Sequence, residues 1–284
     1  GYHGATAPCA CEAIVKTAAM ISLSRSEIEA LIDLPLIAGA IEAAYRATSR
    51  GAVNLPPVGH ITFPGSADCH IKYGHLDGAP TFVIKVATGF PEHSRSGRPT
   101  GNGLLLVMSA QTGAVEAILH DEMMLTDLRT GSGGAIATRA LARAGSRRAL
   151  FVGTGPQARR QIEAHAALLP DLDIAVWGRD PEKAARLCQD LAPECAAAPI
   201  EDLPDAARTA DIIVTATGAT TPLLQSEWVR PGTHITAVGA DAPGKQELAP
   251  DLVARADLLA VDLASQCLDH GEVSHAARAG LIDR

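Results

Sequence analysis

Aromatic residues are scarce in this sequence: Trp, Tyr and Phe together make up 3% of its 284 residues. Because single-stranded nucleic acids are commonly bound by stacking on aromatic side chains, this scarcity disfavours that class of partner. Positive charge is also in deficit, and the formal net charge of −8 disfavours nucleic acids in general and anionic membrane surfaces. No apolar run approaches the ~18 residues needed to cross a bilayer. We therefore expect neither a nucleic-acid nor a membrane partner.

Cysteine is not arranged for a disulfide framework or a metal site. Cys9 and Cys11 lie close together but far in sequence from other groups of ligands. We expect reduced thiols in a cytoplasmic protein with no bound metal. Residues 1–19 lack the basic segment that opens a signal peptide, so we interpret them as an N-terminal extension before a natural start at Met20. The cysteines are Cys9, Cys11, Cys69, Cys188, Cys195 and Cys267.

The most informative stretch is a glycine turn between an apolar run and a helical pattern. Residues 149–152 are mostly apolar, two glycines one residue apart follow, and a helical pattern begins at Gln157. In a dinucleotide-binding unit, Gly153 allows the tight turn, Gly155 lets the backbone approach a pyrophosphate, and Ala158 is the third small residue. The N-terminus of the helix then offers its N–H groups and its positive dipole end to the phosphates. The alternative is an ordinary glycine turn, but the flanking strand and helix favour nucleotide binding.

The rest of the chain predicts an α/β protein with two domains. Hydrophobic residues make up 47% and charged residues 20%, as in a globular protein with a substantial core. Apolar runs at 173–177, 211–215, 234–239 and 258–262 alternate with helical patterns, which predicts a doubly wound parallel Rossmann sheet. Before it, 24–32 and 36–49 have helical patterns. Within 54–126, short strands predicted at 61–63, 69–73, 81–86 and 103–108 are separated by Pro and Gly turns, and together they predict a smaller α+β domain.

A run rich in small residues, 131–144, predicts a helix that begins with three glycines in four positions. Each glycine costs roughly 1 kcal/mol of helix stability relative to alanine. Tight helix packing and close approach of the backbone to a cofactor both explain them, and both remain open at this point.

The end of the second strand bears on the choice between NAD and NADP. An acidic residue there, about 20 residues past the glycines, binds the ribose hydroxyls of NAD. Gly178 stands where that acid is expected, and Arg179 offers a positive charge to a 2′-phosphate, which favours NADP slightly. Asp180 keeps NAD open, and Arg179 is alternatively a solvated turn residue.

Three motifs, in this order and spacing, resemble the ornithine cyclodeaminase/mu-crystallin family: 125–130 (LTDLRT), 153–158 (GTGPQA) and 237–245 (AVGADAPGK). The resemblance extends from about Met20 to the end. It implies a discontinuous substrate-binding and dimerisation domain at 20–130 plus 268–284, a Rossmann domain at 131–267, and a homodimer. It also implies NAD(P)-dependent chemistry at the Cα–N bond of a small amino or imino acid.

The resemblance also implies roles for three charged residues. Lys85 matches the family's active-site lysine and would bind the substrate carboxylate or share in proton transfer. Arg129 matches the carboxylate-binding arginine, whose planar fork suits a bidentate grip. Asp241 matches the acid that contacts the substrate's amines in cyclodeaminases. The structural alternatives are a lysine at a sheet edge, a salt bridge at a helix start and a turn aspartate.

Two departures from the family pattern bear on the substrate. His60 stands in the segment where the family usually has an arginine, and Lys72 is an additional lysine. A more basic first domain suits a dicarboxylate or a different imino acid, although Lys72 is alternatively an exposed strand residue. Both are candidate substrate-binding residues. The candidate cofactor-binding residues are Gly153, Thr154, Gly155, Pro156, Gln157, Ala158, Arg179, Thr130, Thr217 and Gly218.

The sequence thus predicts an NAD(P)-dependent oxidoreductase that resembles the ornithine cyclodeaminases: hydride abstraction, imine formation, loss of ammonia and return of the hydride. The first alternative is an NAD(P)H-dependent imine or ketimine reductase that makes an amino acid. The second, of another class, is a non-catalytic binding protein like mu-crystallin.

Overall fold

A computed structural model describes residues 20–192 and 195–283. The predicted N-terminal extension, with Cys9 and Cys11, lies outside them. The strands are β1 (Ile21–Leu23), β2 (Val53–Asn54), β3 (Gly59–Phe63), β4 (Ala67–Leu76), β5 (Thr81–Gly89), β6 (Gly101–Ser109), β7 (Val115–Leu119), β8 (Arg148–Val152), β9 (Asp173–Trp177), β10 (Ala197–Ile200), β11 (Ile212–Thr215), β12 (Thr220–Leu224), β13 (His234–Ala237) and β14 (Gln246–Leu248). The α-helices are α1 (Arg25–Glu29), α2 (Leu34–Ser49), α3 (Met124–Leu141), α4 (Pro156–Leu168), α5 (Pro181–Leu191), α6 (Leu203–Thr209), α7 (Pro250–Ala254), α8 (Ala264–Asp269) and α9 (Glu272–Arg278).

The described residues form two compact units. The first comprises 20–24 and 55–120, and the second comprises 25–54 and 121–283. The assignment of substrate binding to 20–130 plus 268–284, and of nucleotide binding to 131–267, stays a prediction. None of the helices in the described part of the chain is long and apolar enough to cross a membrane.

The first unit is built around a largely antiparallel sheet. Its strands run in the order β1-β7-β6-β5-β4, with β3 also paired to β4, and β1 lies parallel to β7. The strands predicted at 61–63, 69–73, 81–86 and 103–108 are all present, and each extends further than the sequence indicated. Gly78 and Gly113 have φ values of +77° and +71°, as left-handed turn residues between strands require.

The second unit contains a five-stranded parallel sheet in the order β10-β9-β8-β11-β13. Both faces are covered, because successive side chains of β8 enter different cores. Leu150 and Val152 pack in a cluster that includes residues of α6 and α7, whereas Phe151 packs with residues of α4 and α5. Burial on both faces explains the continuous apolar run that predicted this strand. The predicted α/β class with a doubly wound parallel sheet is confirmed.

The strand predicted at 258–262 is wrong. This segment lies outside the sheet, and Leu258, Leu259 and Val261 are 71%, 43% and 41% exposed. An apolar run indicates a tendency to be buried but does not determine which element forms. The fifth strand of the sheet is instead β10, which follows α5 and pairs with β9 at the opposite edge. The short parallel pair β12 and β14 was likewise not predicted.

The glycines of α3 allow close helix packing. A Cβ added to Gly131 would lie 2.5 Å from the carbonyl oxygen of Arg160 in α4, and one added to Gly133 would lie 2.6 Å from the hydroxyl of Tyr45 in α2. The packing explanation for these glycines is therefore observed. A role in cofactor approach stays a prediction.

The first predicted helix is shorter than its pattern indicated. Its i, i+3, i+4 spacing placed Ile28, Leu31 and Ile32 on one face, but α1 ends at Glu29. Ile28 is buried, whereas Leu31 is 65% exposed. The second predicted helix forms as α2, and the Asp33 carboxylate caps it by accepting a hydrogen bond from the N–H of Leu36 (2.8 Å).

Candidate functional site

The turn between β8 and α4 has the tight geometry that its glycines predicted. Gly153 has φ +136°, and a Cβ added there would lie 2.5 Å from the carbonyl oxygen of Ala216 and 3.3 Å from the Cβ of Ala158. Ala158 is itself 1% exposed. Both positions therefore require small residues, because strand, turn and helix approach one another closely here.

Gly155 differs from Gly153, because a Cβ added to it would meet nothing within 4 Å. It is the N-cap residue of α4, and the next residue, Pro156, has no N–H. Open space therefore faces the first turn of a thirteen-residue helix, where unpaired N–H groups and the positive dipole end lie. This arrangement fits the pyrophosphate of a dinucleotide. The binding roles of residues 153–158 stay predictions.

Thr217 and Gly218 follow β11, the strand next to β8. The order of the parallel strands reverses between these two strands, and in such sheets ligands bind at the carboxyl ends beside that point. A Cβ on Gly218 would meet nothing within 4 Å. Both candidate residues thus lie at the same edge of the sheet as the glycine turn.

A buried acid that sequence reasoning missed, Glu247, fixes this edge. It is 0% exposed, and its carboxylate accepts hydrogen bonds from the Thr215 hydroxyl (2.7 Å), the Thr217 N–H (2.7 Å) and the Gly239 N–H (2.9 Å). Burial raises the pKa of Glu247, and the hydrogen bonds oppose that shift. No motif contains Glu247 as a functional position, and its strand β14 was not predicted, so the sequence carried no signal for it.

A second acid, Glu272, holds the strand that carries Glu247. Its two carboxylate oxygens accept hydrogen bonds from the N–H groups of Glu247 (2.7 Å) and Leu248 (3.0 Å). Burial raises the pKa of Glu272 to about 7, with a smaller contribution from the nearby Glu247 charge. Glu272 therefore holds the backbone of β14, and Glu247 on β14 holds the residues that follow β11 and β13.

Two further cofactor candidates, Thr130 and Gln157, are linked through one buried side chain. The Gln161 amide donates hydrogen bonds to the carbonyl oxygen of Thr130 (3.0 Å) and to Oε1 of Gln157 (3.3 Å). The Thr130 hydroxyl donates to the carbonyl oxygen of Thr126 within the same helix (2.8 Å). The end of the 125–130 motif thus lies beside the first turns of α4.

The end of β9 explains why a glycine occupies the expected acidic position. A Cβ added to Gly178 would lie 2.5 Å from Cγ2 of Thr154. Asp180, the nearest acid, caps α5 by accepting hydrogen bonds from the N–H groups of Glu182 (3.1 Å) and Lys183 (3.3 Å). Arg179 is exposed, and it forms no ion pair with any residue in 20–192 or 195–283.

Arg129 lies exposed on α3, near Tyr45 of α2. Burial raises the pKa of the Tyr45 hydroxyl, the charge of Asp262 raises it further, and the charge of Arg129 lowers it. Within the described ranges, no carboxylate lies within ion-pair distance of the Arg129 guanidinium. The predicted helix-start salt bridge is thus not observed among these residues, and the guanidinium is accessible to an anion.

Asp241 lies four residues beyond β13, at the carboxyl end of the parallel sheet. Its side chain is 70% exposed and forms an ion pair with Lys245 at 2.5 Å. The carbonyl oxygen of Lys245 in turn contacts Nε2 of His275 at 2.8 Å. This carboxylate is accessible, and its charge is partly offset by the lysine.

In the first unit, the predicted site residues share one face of the sheet. Lys85 on β5 lies directly opposite Lys72 on β4, and His60 on β3 lies opposite His70 on β4. Since alternate residues of a strand point to one face, Asp68, His70 and Lys72 lie on the same side. The alternative for Lys72, an exposed strand residue, is not what the structure has, because Lys72 is half-buried.

Each unit therefore gathers its own candidates. The first places Lys85, Lys72 and His60 on one sheet face, and the second places the glycine turn, Thr217, Gly218 and Asp241 at one sheet edge. The joint action of Lys85 with Arg129 and Asp241, and every individual role, stays a prediction.

The family model for the ornithine cyclodeaminase/mu-crystallin family matches residues 18–283. An uncharacterised cyclodeaminase of Sinorhizobium fredii is 37% identical over 267 residues, which are 92% of this chain and 81% of that protein.

Solved structures of three enzymes are also similar. An archaeal alanine dehydrogenase dimer with bound NAD is 31% identical with a TM-score of 0.86, and the match covers 93% of this chain and 80% of that one. The Δ1-pyrroline-2-carboxylate reductase of Thermococcus litoralis, with NADH and L-proline, is 27% identical with a TM-score of 0.86 over 93% and 82% of the two chains. The iminosuccinate reductase of Paracoccus denitrificans, with NAD+, is 30% identical with a TM-score of 0.85 over 93% and 81%.

These similarities confirm the predicted α/β fold and the prediction of an enzyme. They span nearly the whole described chain, including both units and all three sequence motifs. The chain belongs to the ornithine cyclodeaminase/mu-crystallin family.

Proposed function

We propose that this enzyme is an NAD(P)H-dependent imine reductase that converts a small, anionic imino acid into the corresponding amino acid. The observation that supports this proposal most strongly is the directly opposed pair Lys72 and Lys85. His60 and His70 flank this pair on the same sheet face. Directly opposed residues have Cβ atoms about 5 Å apart, so an anion bound beside this pair of strands is attracted by two positive side chains. The same charges disfavour a diamino acid, whose second ammonium they repel.

The relatives support this direction of reaction. Pyrroline-2-carboxylate and iminosuccinate, the substrates named for two similar structures, are both imino acids with at least one carboxylate. Iminosuccinate carries two carboxylates, which suits a face with two lysines. We therefore infer that an imino dicarboxylate is the preferred class of substrate.

In this proposal three charged residues act on the substrate. Arg129 grips the α-carboxylate through its planar fork, which orients the Cα atom. Lys85 binds a carboxylate oxygen or passes a proton, and Asp241 stabilises the protonated imine nitrogen. When bound, the reduced nicotinamide supplies the hydride that the imine carbon receives. The nitrogen gains its proton from the side chains around it, so the product is the amino acid.

NADPH is the proposed cofactor, with NADH as the alternative that the similar structures contain. Three features support NADPH: Gly178 has no side chain to bind the ribose hydroxyls, Asp180 is engaged as a helix cap, and Arg179 is exposed. Replacing Arg179 with Ala should therefore lower kcat/KM for NADPH at least tenfold and leave that for NADH nearly unchanged. Equal effects on kcat/KM for NADPH and for NADH would contradict the proposed role of Arg179 in binding the 2′-phosphate.

The proposed assembly is a homodimer, as in the similar alanine dehydrogenase. Light scattering after size-exclusion chromatography tests it, because the chain mass is 29.4 kDa and a dimer has twice that mass. A monomer at micromolar concentration would contradict the proposal.

A cyclodeaminase is the second candidate, and the exposed carboxylate of Asp241 favours it because that acid can bind a substrate amine. The similar cyclodeaminase of Sinorhizobium fredii supports it as well.

One assay separates the two activities. Purified enzyme is given NADPH or NADH with iminosuccinate, pyrroline-2-carboxylate or pyruvate plus ammonia, and separately NAD(P)+ with ornithine. Stoichiometric loss of nicotinamide absorbance with an imino acid supports the reductase. Proline and ammonia from ornithine, with no net change in the cofactor, would instead establish the cyclodeaminase. Tight nucleotide binding with no turnover of any substrate would contradict both.

A further inference from the structure

Three side chains with metal-binding atoms converge on the lysine-bearing face of the first unit. Asp68 and His70 are two residues apart on β4, so they point to the same face. His60 lies directly opposite His70 on the antiparallel strand β3. Two neighbouring positions on one strand and one cross-strand position thus form a compact triangle of ligands.

The distances within this triangle are short. Nε2 of His70 lies 3.1 Å from Oδ2 of Asp68, and Nε2 of His60 lies 3.9 Å from the same oxygen. The two imidazole rings are stacked, with centroids 4.4 Å apart and planes inclined by 22°. All three ligand atoms lie within 4.8 Å of one another. Atoms bound to one tetrahedral Zn2+ at ~2.1 Å are themselves about 3.4 Å apart. The separations here, at most 4.8 Å, must therefore shorten by no more than about 1.4 Å when an ion binds.

We propose that His60, Asp68 and His70 bind a divalent transition-metal cation, represented here by Zn2+. Two imidazoles and one carboxylate suit this class, whereas Mg2+ and Ca2+ prefer sites made of oxygen atoms alone. Three protein ligands leave at least one coordination position open to water or to an anion. The site goes beyond the proposed reductase activity and does not depend on it.

The surroundings leave room for the cation and a route to it. A Cβ added to Gly89 would lie 2.8 Å from Oδ1 of Asp68, so the glycine makes space for this carboxylate. The His60, Asp68 and His70 side chains are 38%, 30% and 28% exposed, which gives a cation access from solvent. In the absence of metal, Oδ2 of Asp68 accepts a hydrogen bond from Nε2–H of His70 at 3.1 Å, and a cation displaces that proton.

Lys72 and Lys85 on the same face set the expected affinity. Lys72 is two residues along β4 from His70, so its charge weakens cation binding and we expect micromolar rather than nanomolar affinity. An occupied site would in turn add positive charge to the face that we propose for an anionic substrate.

The experiment is a calorimetric titration of tag-free, metal-free enzyme with ZnCl2, without cofactor or substrate. All proteins carry Cys9→Ser and Cys11→Ser, so that this neighbouring pair of thiols does not compete as a second source of Zn2+ binding. We expect one Zn2+ per chain. His60→Ala, His70→Ala and Asp68→Asn should each weaken binding at least tenfold. Titration with Co2+ should give an absorption band in the visible range that the same variants lose.

His75→Ala is the matched control. His75 lies on β4 as well but points to the opposite face, and its Nε2 contacts the carbonyl oxygen of Ala79 at 2.9 Å. This variant should bind Zn2+ like the parent protein. No binding by the parent, or binding that the three ligand variants leave intact, would overturn the proposal and indicate adventitious binding elsewhere. Circular dichroism verifies folding, and His60→Asn and His70→Asn replace any alanine variant that fails to fold.

Discussion

The Thr138 hydroxyl on α3 donates its hydrogen to Nε2 of His165 on α4, 2.9 Å away. The direction follows from the other ring nitrogen: Nδ1 lies 2.7 Å from the carbonyl oxygen of Gln161, which can only accept, so Nδ1 carries the hydrogen. Thr138 must then accept from the Thr236 hydroxyl, which in turn accepts from Nε2 of His234. A directed chain of hydrogen bonds thus joins the glycine-rich helix to the parallel sheet.

This chain predicts a loss of stability in acid. Burial lowers the pKa of His165 from 6.5 to about 4. A lowered histidine pKa means that the folded state favours the neutral ring. The contribution of this ring to the free energy of unfolding is therefore present above pH 6.5 and is lost as the pH falls from 6.5 towards 4. The free energy of unfolding should fall by about 3 kcal/mol across this pH range. Urea unfolding of the wild type and of His165→Gln at several pH values measures it.

In the His165→Gln variant the acid-side slope should be shallower than in the wild type, because glutamine does not titrate. The exposed His120 provides the control, since His120→Gln should keep the wild-type slope. An unchanged slope in His165→Gln would contradict the assignment of the neutral ring.

Glu272 predicts a pH dependence of opposite sign. Its folded pKa of about 7 lies above the unfolded value of 4.5, so its protonated form stabilises the fold. This contribution is complete below pH 4.5 and is lost as the pH rises from 4.5 to 7. The stability advantage of the wild type over Glu272→Gln should therefore shrink across that range. If the stability advantage of the wild type grew with pH instead, the two N–H donors would stabilise the charged carboxylate more than burial destabilises it.

The glycines of α2 and α3 predict opposite effects of the same substitution. Gly39→Ala, in open space on α2, should stabilise the protein by about 0.5–1 kcal/mol through helix propensity. Gly131→Ala should instead destabilise it by about 1–3 kcal/mol, because the new Cβ meets a backbone carbonyl oxygen at 2.5 Å. Denaturant midpoints of the two variants measure both effects. Stabilisation by Gly131→Ala would mean that α3 and α4 separate easily.

Arg129 provides a prediction for catalysis. Arg129→Lys should raise KM for the imino acid at least tenfold, because lysine cannot make the bidentate contact with a carboxylate. KM for the cofactor should change little. Arg139→Lys, on the same helix but paired with Glu42 at 2.7 Å, is the matched control and should leave both values unchanged. Equal KM values for Arg129→Lys and the wild type would remove Arg129 from the proposed site.

Much of the parallel sheet unit could be predicted from sequence because its signals are local. The apolar run of β8, the spacing of Gly153 and Gly155, and the helix after them lie within twenty residues. The residues that were missed depend on contacts distant in sequence. Glu247 contacts Thr215, 32 residues earlier, and is itself held by Glu272, 25 residues later. The failed strand at 258–262 has the same origin, because strand formation needs a partner that a local pattern does not reveal.

The site of the first unit shows a similar limit. The sequence identified Lys85, Lys72 and His60 individually, but their common face depends on the register of β3, β4 and β5. A shift of one residue in any of these pairings would turn the strand's side chains to the other face. For that reason the sequence alone did not predict that His60, Asp68 and His70 lie close together.

The contact between Thr154 and Gly178 constrains how the cofactor preference of this enzyme can evolve. An aspartate at position 178 would need space that the Thr154 methyl group fills, since the two would approach within 2.5 Å. Under the NADPH preference that we propose, a lineage moving towards NAD would therefore pass through a smaller residue at 154 before it could gain the acid. Engineers face the same order of steps: Gly178→Asp alone should yield a damaged enzyme, whereas Thr154→Ser first would open the path.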